Sequence, residues 1–349
     1  MTKEINKHSI NDLKQRQALP LSAKVAMTKL RIREWVDEFG VDGVYVSFSG
    51  GKDSTVLLHI AREMFPDITA AFVDTGLEYP EIRDFVKTFD NVVWLKPKLT
   101  FKQVILKYGY PFISKEVSQT VSEARTSIKN GKTCAYRVKK LNGEVYDEHG
   151  NYSRYNIPQY KFLLDAPFEV SHLCCNVMKK APAKKFEKET GRKPILATMA
   201  EESQLRTSRW LKEGCNAFDL KRPTSKPMSF WTEQDVLKYI KDNNLPICSV
   251  YGDIVPDYCG TQFEGQMDIA DLGLINDNRM LKTTGCHRTG CMFCGFGCQR
   301  EESPNRFERM KVTHPKQYGF IMKPVEAGGL GYKEVIDYLN EHGNLNIKY

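Results

Sequence analysis

The stretch VYVSFSGGKDSTVLLHIA, residues 44–61, changes character in its middle. Val44-Tyr45-Val46-Ser47-Phe48 is an apolar run of strand length, and Val56, Leu57, Leu58, Ile60 and Ala61 resume at helical spacing. Between them lie Ser49, Gly50, Gly51, Lys52, Asp53 and Ser54. A strand delivering a glycine turn to a helix presents unpaired N–H groups and the positive end of the helix dipole. Glycine lets the backbone approach an anion closely, the serines and Thr55 add hydroxyl donors, and Lys52 adds a full charge. That combination predicts a phosphate site. A turn needing glycine only for its backbone angles would not require Ser, Lys and Ser around it.

Outward from this turn the pattern repeats. Residues 22–39 have helical periodicity, and a helix is expected near 54–65, ended by Pro66. ITAAFVDTG (68–76) reads as a second strand, YPEIRDFVKTF as a helix, NVVWLKP as a third strand and FKQVILKYG as a helix. Alternation at this spacing predicts a doubly wound, mostly parallel α/β sheet. Residues 115–165 break the rhythm with a basic, then tyrosine-rich run and a hairpin expected around NGEVYDEHGNY. PILATMAEES (194–203) restores the strand-to-turn pattern, and TEQDVLKYIKDN (232–243) is an amphipathic helix with Thr232 as its N-cap. The expected organisation is an N-terminal segment 1–24, a nucleotide-binding α/β domain 25–245 with an insertion at about 115–165, and an irregular Cys-rich region 246–349.

Of 349 residues, 41% are hydrophobic, enough for a sizeable core. No apolar run approaches the roughly 20 residues that span a bilayer, and the polar N-terminus lacks a signal-peptide core, so a cytoplasmic protein without membrane contact is expected. The net charge of +8 is concentrated: residues 115–140 hold seven Lys/Arg against two Glu, and 177–193 hold seven against Glu187 and Glu189. Such runs are either solvated helix faces or an electropositive surface for phosphates or nucleic acid.

Ten cysteines without an export signal argue against disulfides. Cys134, Cys215, Cys248 and Cys259 are isolated and read as small apolar residues, while Cys174-Cys175 and Cys286, Cys291, Cys294 and Cys298 cluster as metal or redox groups do. The last four alone are close enough in sequence to make a local four-thiolate site.

SGGKDS resembles the PP-loop of the N-type ATP pyrophosphatases, also called adenine nucleotide α-hydrolases, which split ATP between the α and β phosphates. The resemblance assigns phosphate binding to Ser49, Gly50, Gly51, Lys52, Asp53 and Ser54, with Lys52 and Asp53 as the catalytic pair. FVDTGLEYPEIRDFV is similar to the second nucleotide motif of the phosphoadenylyl-sulfate (PAPS) reductase branch, which implies nucleotide contacts for Asp74, Thr75 and Gly76. ATMAEESQLRTSRW (197–210) falls where those reductases grip the nucleotide; Ser203 and Arg206 match, but Met199 and Ala200 stand where an arginine pair is expected. LCCNVMKKAPAKKF and GCMFCGFGC resemble the stretches holding a 4Fe-4S cluster in iron–sulfur sulfonucleotide reductases, which implies Cys174, Cys175, Cys291 and Cys294 as ligands, with zinc as the alternative metal. KPMSFWTEQDVLKYI with NLPICSVYGD is similar to a segment at the base of the same site; there Trp231, Tyr239 and Tyr251 read as core.

A reductase of that branch needs a nucleophilic cysteine near its C-terminus, and none follows Cys298. The intact Lys52-Asp53 pair resembles the ATP-cleaving members instead. The combination is also similar to the sulfur-insertion enzymes of DNA phosphorothioation and tRNA thiolation, which implies ATP, Mg²⁺, a sulfur donor protein and a nucleic-acid acceptor. Two other readings stand beside this one. The first is a sulfonucleotide reductase using Cys286 or Cys298. The second is a non-catalytic nucleotide sensor with a structural metal.

Overall fold

The computed structural model describes residues 6–258 and 279–349; Cys259 lies outside them. The chain first lays down α1 (Ile10–Gln17), α2 (Leu21–Phe39), β1 (Val44–Ser47), α3 (Lys52–Met64), β2 (Ala70–Val73), α4 (Pro80–Lys87) and β3 (Val92–Leu95). It continues through α5 (Phe101–Tyr108), β4 (Phe112–Ile113), α6 (Lys115–Lys129) and α7 (Tyr136–Asn142). Then come α8 (Ala181–Thr190), β5 (Lys193–Ile195), α9 (Gln204–Glu213), β6 (Asn216–Ala217), β7 (Thr224–Ser225), α10 (Glu233–Asp242), β8 (Ile254–Pro256) and β9 (Leu281–Thr283). It closes with β10 (Gly295–Phe296), α11 (Arg306–Thr313), α12 (Pro315–Met322) and α13 (Tyr332–Gly343).

These elements form two compact units that do not follow the linear division at residues 24 and 245. The first comprises residues 1–74, 78–96 and 182–289; the second comprises 75–77, 97–181 and 290–349. The run 115–165 is part of the second unit, together with the last sixty residues.

The first unit is the mixed α/β fold expected from the alternation. Its six-stranded sheet runs β3-β2-β1-β5-β7-β6, parallel throughout except for the β6–β7 pair. β1 lies between β2 and β5, with Val46 opposite Ala70 and Ile195. A strand covered on both faces must be apolar on both, which is why residues 44–48 do not alternate. Val44, Val46 and Phe48 enter a core with Ile32, Trp35, Val56, Leu57, Ile60 and Trp231, while Tyr45 packs with Ala71 and Phe186 on the opposite face. Thr232 caps α10 as expected: its hydroxyl accepts from Asp235 N and the Asp235 carboxylate accepts from Thr232 N, closing a capping box.

The second unit has little sheet. β4 and β10 pair in parallel over two residues each, and an aromatic group of Tyr110, Phe112, Phe307 and Tyr332 fills its interior. Tyr146 and Tyr152 bridge antiparallel at the expected hairpin. Beyond residue 305 the chain is helical in α11–α13, whereas 284–305 carries only short pieces of regular structure. Among the described residues no helix is long and apolar enough to cross a membrane.

Candidate functional site

The turn after β1 is built from its own side chains. Gly50 has φ +70°, and a Cβ there would stand 2.8 Å from a Val86 methyl and 2.9 Å from an Ile82 methyl on α4, so both the backbone angle and the space require glycine. Ser49 and Ser54 hydroxyls lie 3.0 Å apart; Ser54 Oγ accepts from Ser49 N at 3.1 Å and donates to Gly51 O at 2.9 Å. Gly51 N donates to Ser49 Oγ at 3.3 Å. Gly51 is extended and helix α3 starts at Lys52, two residues earlier than the apolar spacing indicated. Lys52, Asp53 and Ser54 therefore occupy the first helical turn, where backbone N–H groups have no intrahelical acceptor.

Lys52 is buried, with 3% of its side chain exposed. Its Nζ lies 2.7 Å from Glu233 Oε1, donates to the His287 carbonyl at 2.7 Å, and stands 5.5 Å from the centre of the Tyr251 ring. Lys52 N donates to the Tyr251 hydroxyl at 3.2 Å, and that hydroxyl is 2.6 Å from Thr289 Oγ1. The Tyr251 ring is core, as expected, but its oxygen braces the loop. Burial pushes its phenol up to about 12, so it stays protonated at neutral pH. Burial also raises the Asp53 carboxyl above the ordinary carboxylate range, against the lowering influence of Lys52, Arg288 and Arg206. Asp53 Oδ1 is buried without a hydrogen-bond partner.

Asp74 follows β2. Because Ser47 is opposite Ala71 in the parallel β1–β2 pair, Asp74 and the turn at 49–54 leave the sheet at the same edge, where ligands of such sheets bind. The Asp74 carboxylate is held by Arg83 at 2.9 Å. Thr75 and Gly76 belong to the second unit, where Thr75 Oγ1 accepts from Leu77 N at 3.1 Å. Ser203 is the N-cap of α9, accepting from Arg206 N at 3.3 Å, so its hydroxyl has a structural role. Arg206 pairs with Glu202 and lies in the electrostatic field of Asp53. His287, Arg288 and Thr289 carried no motif signal in the sequence, and Glu233 only as part of the segment resembling the base of the site, yet Glu233 and His287 contact Lys52 and Thr289 contacts the Tyr251 hydroxyl.

The second unit holds Cys174, Cys175, Cys291 and Cys294. Cys174 and Cys175 open a helical run whose residues 176–180 form a π turn, with Ala181 N bonded to Asn176 O. Pro182, which cannot donate to the preceding turn, follows immediately. The two sulfurs are 4.0 Å apart. The Cys175 thiol is drawn down by its contact with Cys174, helped by Lys115, Lys179 and Lys180. Cys174 is pushed up by the same contact, by burial, and by the nearby Cys294 and Cys291. Burial raises Cys294, whose carbonyl accepts from Arg306 at 2.5 Å. The four expected thiols thus lie within electrostatic reach of one another. Their number and type fit a thiolate-held cluster. Among the described residues no three Cys, His, Asp or Glu side chains stand at metal-binding spacing. Cys286 belongs to the first unit, its sulfur 3.9 Å from the Tyr79 hydroxyl. Cys298 is fully buried, and burial pushes its thiol up to about 12.

The model of the phosphoadenosine phosphosulfate reductase domain matches residues 43–114 and 119–295. An uncharacterized protein of Methanocaldococcus jannaschii is 42% identical over 73 residues, 20% of this chain and 18% of the relative. A phosphoadenosine 5'-phosphosulfate reductase of Xylella fastidiosa is 38% identical over 65 residues, 19% of this chain and 27% of the relative. The chain therefore spans well under a third of the length of these curated relatives. The crystal structure of a PAPS reductase from Candida auris, in a phosphate complex, superposes with a TM-score of 0.36 at 15% identity, over 70% of this chain and 92% of that one. The family match includes the glycine turn, Asp74, both pairs of clustered cysteines and Arg206, and on that extent the chain belongs to the phosphoadenosine phosphosulfate reductase domain family, within the PP-loop superfamily.

Proposed function

We propose that this chain is an adenine-nucleotide enzyme that cleaves ATP to AMP and pyrophosphate at residues 49–54, activating an acceptor for sulfur transfer. The observation that carries the reading is the intact loop itself, with Lys52 held beside first-turn N–H groups that have no intrahelical acceptor. The N–H groups and Lys52 bind the departing pyrophosphate and stabilise the charge that develops on it. Asp53 and Asp74 are the carboxylates that would hold Mg²⁺, which supplies further neutralisation of that charge when bound. Asp53, with a buried oxygen lacking a partner, fits that role. Cys174, Cys175, Cys291 and Cys294 would hold an iron–sulfur cluster, which supplies electron-transfer or sulfur-handling chemistry when bound. The lysine- and arginine-rich runs suit a nucleic-acid acceptor and a sulfur donor protein as partners.

Family membership supports a second reading, a sulfonucleotide reductase. Such an enzyme needs an accessible thiolate. Cys298 is buried with a raised thiol, so the half-buried Cys286, next to the His287 carbonyl that holds Lys52, is the stronger candidate. One experiment separates the two. The protein, prepared anaerobically, is incubated with ATP and a panel of acceptors including nucleic acid, and with adenylyl sulfates plus a thiol reductant. AMP and pyrophosphate in equal amounts support ATP activation; sulfite release abolished by Cys286→Ser supports reduction.

A further inference from the structure

Residues 285–289 run as a strap along the nucleotide loop in the first unit. Gly285 N donates to Tyr251 O and Cys286 N to Val250 O, both at 2.8 Å. The His287 carbonyl takes the Lys52 ammonium at 2.7 Å, and Thr289 Oγ1 lies 2.6 Å from the Tyr251 hydroxyl that braces Lys52 N. Thr289 Oγ1 is also 3.5 Å from where a Cβ on Gly51 would stand. Arg288 sits between His287, whose carbonyl takes Lys52, and Thr289, bonded to the Tyr251 hydroxyl that braces the loop, and its side chain is half exposed.

The cations around the loop differ in how far they are already engaged. Lys52 already contacts Glu233 and the His287 carbonyl, each at 2.7 Å. Arg206 is in direct contact with Glu202. Arg288 reaches the same Glu202 oxygen only at 3.7 Å, beyond hydrogen-bonding distance, so its five donors are not spent there. Two guanidinium groups share this one carboxylate, and both act on Asp53 in the first turn of α3.

We propose that Arg288 is a phosphate-binding residue of this site. With Arg206 it forms a guanidinium pair for a second anionic group of a ligand whose first group lies on the loop. The ligand class is a polyphosphate or a nucleotide carrying one, because the loop and the guanidinium pair offer two cationic positions that take two linked anionic groups. This rests on the reading of residues 49–54 as a phosphate site.

The test is calorimetric titration of the full chain with pyrophosphate and with ATP at several salt concentrations. Arg288→Ala weakens both ligands about tenfold or more, the effect of one charge-assisted hydrogen bond, and flattens the salt dependence. Arg288→Lys recovers part of the affinity. Arg33→Ala, on the exposed face of α2, removes the same charge and leaves affinity in place. Equal affinity in Arg288→Ala and the wild type overturns the assignment, as does an equal loss in Arg33→Ala. Failure of the wild type to bind either ligand overturns the loop reading together with it, whereas wild-type binding with an unaffected Arg288→Ala overturns the arginine alone.

Discussion

Asp53 carries a functional cost that stability measurements can expose. Burial raises its carboxyl above the unfolded value, so the folded state holds the proton more tightly than the unfolded one. The contribution is then favourable in acid and is lost as pH rises through the raised value. Asp53→Asn removes the buried charge. It is expected to raise the melting temperature at neutral pH while abolishing nucleotide cleavage, and the stability gain should vanish below the ordinary carboxylate pKa. A melting temperature lowered at neutral pH would show that Asp53 has ion partners outweighing its burial. Tyr251 presents the complementary case. Tyr251→Phe keeps the packed ring but deletes the hydroxyl between Lys52 N and Thr289, at an expected cost of about 0.5–1.5 kcal/mol in chemical denaturation. The sequence showed that ring as core, and it is. It gave no sign of the hydroxyl's work, because an aromatic in an apolar segment looks the same whether or not its oxygen reaches a loop.

At the scale of elements, the strand–turn–helix at 44–64 was legible because three signals agreed: an apolar run without alternation, paired glycines, and helical spacing after them. The start of α3 was displaced by two residues because Lys52 and Asp53 lie in its first turn but add nothing to the apolar pattern. Gly50→Ala is expected to destabilise the protein by about 1–3 kcal/mol, since the added methyl meets the α4 side chains Val86 and Ile82 at a positive φ. Gly295 in β10 has a parallel constraint that the C-x-x-C motif concealed. A Cβ there would lie 2.6 Å from the Phe112 ring, so Gly295→Ala should disturb the β4–β10 pairing beside Cys294 and cost a similar amount. Thr232 shows the reverse situation. Its place as N-cap was readable from the sequence, but the residue it places first in α10, Glu233, holds Lys52. A helix-start acid usually serves the helix dipole, so nothing local distinguished this one.

At the scale of the whole molecule, the sequence conveyed the α/β alternation but not the division into units. A chain that leaves one unit at residue 97, returns at 182 and leaves again at 290 gives no linear signal of that course. The same discontinuity accounts for the cysteines: 115 residues separate Cys175 from Cys291 in the chain, yet both belong to the second unit, while Cys286 belongs to the first. The split ligand set therefore makes a distinct prediction. After anaerobic reconstitution, Cys174→Ser and Cys291→Ser should lose bound iron and sulfide, whereas Cys286→Ser should retain them; the opposite pattern would move any metal to the local group. The measurement that bears most directly on the nucleotide assignment is calorimetric titration of the wild type and Lys52→Ala with pyrophosphate and ATP. Loss of the charge-assisted contact is expected to weaken both ligands by about 1.5–3 kcal/mol, roughly 10- to 150-fold. Equal affinities in the two proteins would contradict the assignment of residues 49–54 as the phosphate site.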